Sequence, residues 1–216
     1  MTYKGVVFDL DGTLADSLDD IADSMNRVLV ANHFPTHKRE TYRGFIGNGV
    51  KNLVFQSIPE DNREETTIAR CFDMMLEDYA ENCMVKTKLY NGIHELLDHL
   101  HERGLKLAVF SNKTDELTQK IARKLLNDWN MEVVLGAGGD IPRKPDPKGV
   151  LLICQKMGLA PDELIYMGDT GIDMQTATAA GMHGVGVLWG FRDEEELLLN
   201  GAKLILKHPM DLVAQL

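Results

Sequence analysis

The sequence has few cysteines and lacks any long hydrophobic run. Its three cysteines, Cys71, Cys83 and Cys154, form no CxxC pair, which favours a reducing compartment over a disulfide framework. No apolar run approaches the roughly 20 residues of a membrane-spanning helix, so a spanning protein is excluded. The first apolar run meets acidic residues too soon for a signal peptide, and we therefore expect a cytoplasmic protein.

Positive charge is also scarce. The 23 Lys and Arg residues face 33 Asp and Glu residues, which leaves a formal net charge of -10. This balance argues against a broad binding surface for nucleic acid or for an anionic membrane, so any anionic ligand must be met by local groups. The 216 residues suffice for one large domain, or for a core with a smaller partner domain. We expect a monomer or a homodimer.

Short apolar runs recur along the chain with helical periodicity between most of them. Each run is typical of a strand buried on both faces, and the alternation predicts an α/β fold with a Rossmann-like parallel sheet. The predicted strands lie at residues 6–8, 105–110, 133–135, 164–167, 185–189 and 204–206.

The first two predicted strands are separated by about 90 residues, whereas a crossover needs only a dozen or more. Apolar residues at helical spacing fill this interval, and no strand signal interrupts them. We therefore predict an all-helical cap domain at residues 15–85, inserted into a catalytic core formed by residues 1–14 and 86–216.

Polar residues follow the apolar runs, at the strand ends where open parallel sheets bind ligands. Asp9 and Asp11 follow the first run. In extended backbone, residues two apart point to the same side, so their carboxylates are expected close together, and Gly12 lets the chain turn. The second run ends in Ser111 and Asn112, which offer hydroxyl and amide donors.

Charged residues follow the third and fourth runs. Lys144 lies in a loop stiffened by Pro145 and Pro147, Asp169 stands at a strand end, and Asp173 lies one helical turn beyond. Four such acids beside one lysine would repel one another unless a hard divalent cation bound their oxygens, and Mg²⁺ is the natural candidate. A phosphate beside that cation would still need extra donors such as the lysine.

Four motifs occur in a fixed order, each after an apolar strand. They are Asp-Leu-Asp-Gly-Thr-Leu at 9–14, Ser-Asn at 111–112, Lys-Pro-Asp-Pro at 144–147 and Gly-Asp-(x)₃-Asp at 168–173. In this order the chain resembles the haloacid dehalogenase-like hydrolase superfamily over nearly its whole length. The helical insertion, the glycine-flanked turn at 45–50 and Leu-Trp-Gly-Phe at 188–191 are similar to the phosphoglycolate phosphatases of that superfamily.

The resemblance implies a mechanism. Asp9 would attack phosphorus and form an aspartyl-phosphate, while Asp11 would protonate the leaving oxygen and then activate water. Mg²⁺ would bind the Asp9 carboxylate, the Asp11 backbone carbonyl and Asp169, with Asp173 steadying the surroundings of the metal.

The resemblance also implies the substrate contacts. Ser111 and Lys144 would hold the transferring phosphoryl group, with Thr13 and Asn112 close to the substrate. Thr13 is the usual phosphatase form, whereas valine there would favour a phosphomutase. A small phosphorylated metabolite is the expected substrate, and 2-phosphoglycolate is the first to test.

The helical insertion would act as a cap that excludes water and supplies substrate contacts. Its turn contains Gly47, which could bring backbone close to a small substrate, and Arg43 and Lys51 are candidate partners for a carboxylate or phosphate. A plain connecting turn and solvated surface positions are the alternatives for these residues.

Two other functions share these residues. A phosphomutase would use the same aspartyl-phosphate but pass the group to a sugar hydroxyl. A phospho-acceptor signalling module also places acids, a hydroxyl and a lysine around Mg²⁺, although it needs neither a cap nor Asp11. Since the dehalogenases that name the superfamily lack this second acid, Asp11 favours phosphate chemistry.

Overall fold

The computed structural model describes residues 3–216, which form eight strands and nine α-helices. The strands are β1 Gly5–Phe8, β2 Ala15–Asp16, β3 Lys88–Leu89, β4 Lys106–Thr114, β5 Met131–Ala137, β6 Leu164–Gly168, β7 His183–Val187 and β8 Leu204–Leu206. The helices are α1 Leu18–Ala31, α2 Arg39–Phe45, α3 Val50–Ser57, α4 Glu65–Asn82, α5 Ile93–Glu102, α6 Asp115–Leu125, α7 Lys148–Met157, α8 Gly171–Ala180 and α9 Glu194–Leu199. Within this described part, every helix is too short or too polar to cross a bilayer.

Six strands form one sheet in the order β5-β4-β1-β6-β7-β8, and every neighbouring pair is parallel. Strand β1 lies near the centre, with Gly5 opposite both Lys106 and Leu164. All four residues of β1 are buried, and since successive side chains point to opposite faces, both faces of the sheet are covered. The predicted α/β fold with a parallel sheet is confirmed.

Three strands differ from the prediction by more than one residue at an end. Strand β5 covers Met131–Ala137 and is longer than the predicted 133–135 at both ends. Strand β4 continues to Thr114 instead of ending at residue 110, which places the polar residues Ser111 and Lys113 within the strand. Strand β7 covers His183–Val187 instead of residues 185–189. The start of the strand escaped a hydrophobicity argument because Gly184 has no side chain. A side-chain carbon at Gly184 would lie 3.2 Å from the Ala177 side chain, so the backbone itself packs there.

The chain divides into two compact units. One contains the six-stranded sheet and consists of the chain up to Asp16 together with Leu89–Leu216, and the other is Ser17–Lys88. The sequence predicts the second unit at residues 15–85, so its observed limits lie two and three residues further along the chain. The three cysteines are buried and none of them is in a disulfide, as expected of small apolar residues.

The second unit is built from helices α1 to α4. Their apolar faces are buried and contain residues such as Met25, Tyr42 and Met75. Helix α1 is fixed to α4 by a bidentate ion pair in which Arg27 donates to both carboxylate oxygens of Asp78, at 2.8 and 2.6 Å. This pairing lowers the pKa of Asp78.

Asp20 fixes the end of the helical unit to its first helix. Its buried carboxylate accepts hydrogen bonds from the backbone N–H of Lys86, from the N–H of Thr87 at 2.8 Å and from the Thr87 hydroxyl at 2.7 Å. A carboxylate bound by several buried donors is expensive to remove, because the donors are left without a partner. Asp20 therefore stabilises the unit where the chain leaves it.

The Asp20→Ala variant is expected to lose about 2–4 kcal/mol of unfolding free energy, since each buried donor left unpaired costs about 1–3 kcal/mol. Urea titration of both proteins would measure the loss. The matched control is Asp23→Ala: Asp23 binds the Lys86 ammonium at 2.7 Å but its side chain is 44% exposed, so we expect less than about 1 kcal/mol. Equal losses in the two variants would contradict this interpretation.

Candidate active site

Three carboxylates meet at the carboxyl ends of the central strands. Asp9 follows β1, Asp169 follows β6, and Asp173 lies in the first turn of α8. Each has an oxygen within 4.8 Å of an oxygen of the other two, and all three residues are buried. Neighbouring strands β1 and β6 bring the first two together because parallel strands end at the same edge.

The crowding of buried carboxylates raises their affinity for protons. Burial raises the pKa of Asp9 to about 7, with Asp173 and Asp11 adding to the rise and Lys144 opposing it. Burial also raises the pKa of Asp169 well above its ordinary range, again with the neighbouring carboxylates adding to it. Such a cluster is a site that favours a cation.

Lys144 supplies the positive charge beside two of these carboxylates. Its ammonium lies 2.8 Å from Asp9 Oδ1 and 2.7 Å from Asp173 Oδ1. Burial alone would lower the pKa of Lys144, but the Asp173 and Asp9 carboxylates outweigh burial and raise it, so this lysine stays charged. The other oxygen of Asp173 accepts hydrogen bonds from the N–H and hydroxyl of Thr170, the N-cap of α8.

Asp11 is paired with a second lysine of the site. Its Oδ2 pairs with the ammonium of Lys113 at 3.0 Å, and both side chains are almost buried, with 12% and 5% of their surface exposed. The site thus contains two lysines, each paired with a different one of the two acids after β1. The excess of negative charge is smaller than the sequence predicted.

Ser111 and Asn112 occupy different environments. Ser111 is 2% exposed in β4, and its hydroxyl oxygen accepts the N–H of Lys113 at 3.2 Å. Asn112 was predicted to contact substrate, but its side chain binds the backbone of Lys144: Oδ1 accepts the Lys144 N–H at 2.7 Å, and Nδ2 donates to the Lys144 carbonyl at 3.2 Å. Its amide therefore positions Lys144, and its contact with substrate stays a prediction.

Thr13 also binds another residue of the site. Its side chain is fully buried, and its hydroxyl donates to Asp169 Oδ1 at 3.2 Å, so it orients that carboxylate. Its contact with substrate stays a prediction. The segment after β7 completes the support. The Trp189 ring N–H donates to the Thr13 carbonyl at 2.9 Å, and the Phe191 N–H donates to Asp169 Oδ2 at 2.8 Å.

The segment after β7 contains Gly190, where the backbone passes too close to its neighbours to leave room for a side chain. A side-chain carbon at Gly190 would collide with the Asp169 side chain and with the carbonyl of Gly12. Gly12 itself has φ +88°, a conformation that other residues adopt at a cost. Residues 12 and 190 therefore allow two loops to close on Asp169.

Gly190→Ala is expected to cost about 1–3 kcal/mol of stability, because backbone or the Asp169 side chain must shift to admit the methyl group. Since Asp169 would be displaced, we also expect the catalytic activity of the site to fall at least about tenfold. Thermal unfolding and an activity assay would measure the two effects. At Gly44 a methyl group meets nothing within 4 Å, so Gly44→Ala is the control, and similar behaviour of the two variants would contradict the packing argument.

The remaining predicted contacts lie in the helical unit. Arg43 is in the last turn of α2, Lys51 is the second residue of α3, and Gly47 lies in the connecting turn with φ +117°. Both basic side chains are exposed. Their substrate contacts stay a prediction.

Sequence reasoning missed three supporting groups. Lys113 was detectable, because it is a charged residue directly after Ser111 and Asn112 at the polar end of the same strand. Thr170 was detectable from its spacing to Asp173, which is typical of a capping box. The backbone N–H of Phe191 leaves no signal in a sequence.

Comparison with known proteins shows what this chain is similar to. A model of the haloacid dehalogenase-like hydrolase family matches residues 6–187. A phosphoglycolate phosphatase of Aquifex aeolicus is 33% identical over 186 residues, 86% of this chain and 85% of that protein. One from Mannheimia succiniciproducens is 33% identical over 196 residues, 88% and 87% of the two chains. The crystal structure of a proposed phosphoglycolate phosphatase from Lactobacillus delbrueckii subsp. bulgaricus superposes with a TM-score of 0.92 at 30% identity, covering 98% and 97%.

Proposed function

The chain belongs to the haloacid dehalogenase-like hydrolase family, and from this premise we propose that it is a Mg²⁺-dependent phosphatase that forms an aspartyl-phosphate on Asp9. That it is a phosphatase follows from its phosphoglycolate phosphatase relatives. The observation that carries the finer proposal is the meeting of three buried carboxylates and a buried lysine at the strand ends. Because its relatives are phosphoglycolate phosphatases, 2-phosphoglycolate is the first substrate to test.

Asp9 is the proposed nucleophile. One of its oxygens forms a bond to phosphorus while the bond from phosphorus to the ester oxygen breaks, and the electron pair goes to the leaving oxygen. Asp11 donates a proton to that oxygen. Asp11 then takes a proton from water, whose oxygen displaces the Asp9 carboxylate from phosphorus and releases inorganic phosphate.

The donor set fits Mg²⁺. Asp9, Asp169 and Asp173 offer closely spaced carboxylate oxygens, the hard donors that this ion prefers, and burial makes their unneutralised charge costly. Asp9 and Asp169 would hold the ion together with the Asp11 backbone carbonyl, with Asp173 beside them. When bound, Mg²⁺ would neutralise charge on the phosphoryl oxygens.

The other residues orient these groups. Ser111 and Lys144 would hold the transferring phosphoryl group, while Asn112 and Thr13 fix Lys144 and Asp169 in place. The helical unit would serve as a cap. We propose that Arg43, Gly47 and Lys51 provide its substrate contacts. Three buried thiols outside any disulfide favour a cytoplasmic location.

A phosphate-release screen would test the proposal. Purified protein would be incubated with a panel of phosphorylated metabolites that includes 2-phosphoglycolate, with Mg²⁺ or with excess EDTA. We expect release of inorganic phosphate that requires the metal. Conversion of a sugar phosphate without free phosphate would indicate a phosphomutase, and a lasting aspartyl-phosphate without turnover would indicate a signalling module.

A further inference from the structure

We propose that Lys113 is a positioning residue that holds the Asp11 carboxylate in place for proton transfer. The inference rests on the proposed function, in which Asp11 moves protons to and from the reacting oxygens. It starts from the ion pair between Lys113 Nζ and Asp11 Oδ2, at 3.0 Å. Both groups are almost buried, so water screens their attraction weakly.

The fold fixes where the Lys113 ammonium lies. Strand β4 is the neighbour of β1, and the carboxyl ends of both strands lie at the same edge of the sheet. The pairing of β4 with β5 is irregular between Ser111 and Thr114, the segment that contains Lys113. Such irregularities redirect a side chain next to a site.

Local hydrogen bonds hold the backbone of Lys113 on both sides. Its N–H donates to the Ser111 hydroxyl at 3.2 Å, and its carbonyl accepts the Thr118 hydroxyl at 3.4 Å. A group that moves protons works best when its supporting contacts are rigid. Lys113 therefore offers Asp11 a fixed cation at the end of a central strand.

The two lysines of the site have separate partners. Lys144 contacts Asp9 and Asp173, whereas Lys113 contacts Asp11. The ion pair restricts the direction in which the Asp11 carboxylate points. The rate of proton transfer depends steeply on that direction. We therefore expect loss of Lys113 to impair proton transfer more than phosphoryl binding.

Leaving-group dependence tests this distinction. Phenyl phosphate needs a proton on its departing phenoxide, since phenols have a pKa of about 10, whereas p-nitrophenyl phosphate releases a far more acidic phenol. In Lys113→Met we expect kcat/KM to fall about 10–100-fold for phenyl phosphate, and at least about fivefold less for p-nitrophenyl phosphate. The ratio of the two losses does not depend on how much of the variant is folded.

Further variants complete the experiment. Lys113→Arg keeps the cation and is expected to recover most of the phenyl phosphate activity, and Lys124→Met, an exposed lysine of α6, should match the unaltered protein. Asp11→Asn should show the same leaving-group dependence, and adding Lys113→Met to it should not steepen it.

Two results for Lys113→Met would overturn the inference. An equal loss of kcat/KM on both phosphates would mean that Lys113 contacts the phosphoryl group or only supports the fold. No loss on either phosphate would mean that the ion pair does not contribute to catalysis. Absence of hydrolysis by the unaltered protein would instead contradict the proposed function. A normal Asp11→Asn variant would contradict the role of Asp11, and these two failures are therefore distinguishable from failure of Lys113 alone.

Discussion

Asp9→Asn is expected to abolish phosphate release, with a loss of about 10⁴-fold or more. An amide oxygen is a poor nucleophile toward phosphorus, and asparagine cannot form the acyl phosphate that the aspartate carboxylate would form. Asparagine has nearly the same volume as aspartate, and a neutral group relieves part of the repulsion in the buried cluster, so the variant should fold. Phosphate release from p-nitrophenyl phosphate, together with the unfolding temperature, would separate chemistry from stability.

Two controls sharpen this experiment. Asp128→Asn makes the same chemical change at an exposed position and is expected to leave activity unaltered. Mass spectrometry should accompany the assay, because deamidation of the introduced asparagine would restore aspartate and with it a trace of activity. Activity of Asp9→Asn that is comparable with the unaltered protein, in a sample free of deamidation, would rule out Asp9 as the nucleophile.

The sequence predicted where the charged groups of the site lie better than it predicted what they touch. Asp9, Asp169 and Lys144 could be assigned to one edge of a sheet, because parallel strands end together and apolar runs mark those strands. The same reasoning placed Asn112 and Thr13 near the site but did not predict their partners within it. Both are hydrogen-bonded to other site residues, and such pairings depend on loop paths that no spacing rule specifies.

Limits of the strands were less predictable for a physical reason. Hydrophobicity finds a strand by its buried side chains, so it underestimated β4, whose end is polar, and displaced β7, which contains glycines. The first of these errors had a functional consequence. With β4 ending at residue 110, Lys113 looked like part of a loop, whereas within the strand its side chain is directed toward Asp11.

Lys144→Met is expected to impair both stability and activity. The methionine matches the length of the lysine but leaves Asp9, Asp169 and Asp173 buried with no ammonium beside them. Removing one partner of a buried ion pair costs about 3–5 kcal/mol, and losing a donor to the phosphoryl group costs about 10²–10³-fold in kcat. Urea titration in EDTA would measure the first effect, and phosphate release in Mg²⁺ the second.

A double variant separates the two effects of Lys144. Adding Asp173→Asn to Lys144→Met removes one of the uncompensated carboxylates, so we expect it to recover at least about 1 kcal/mol of the lost stability. Activity should not recover, because the phosphoryl group still lacks its cation. Lys156→Met, an exposed lysine of α7, is the control for the substitution itself. If the double variant were no more stable than Lys144→Met, the charge balance between Lys144 and Asp173 would not be what stabilises this site.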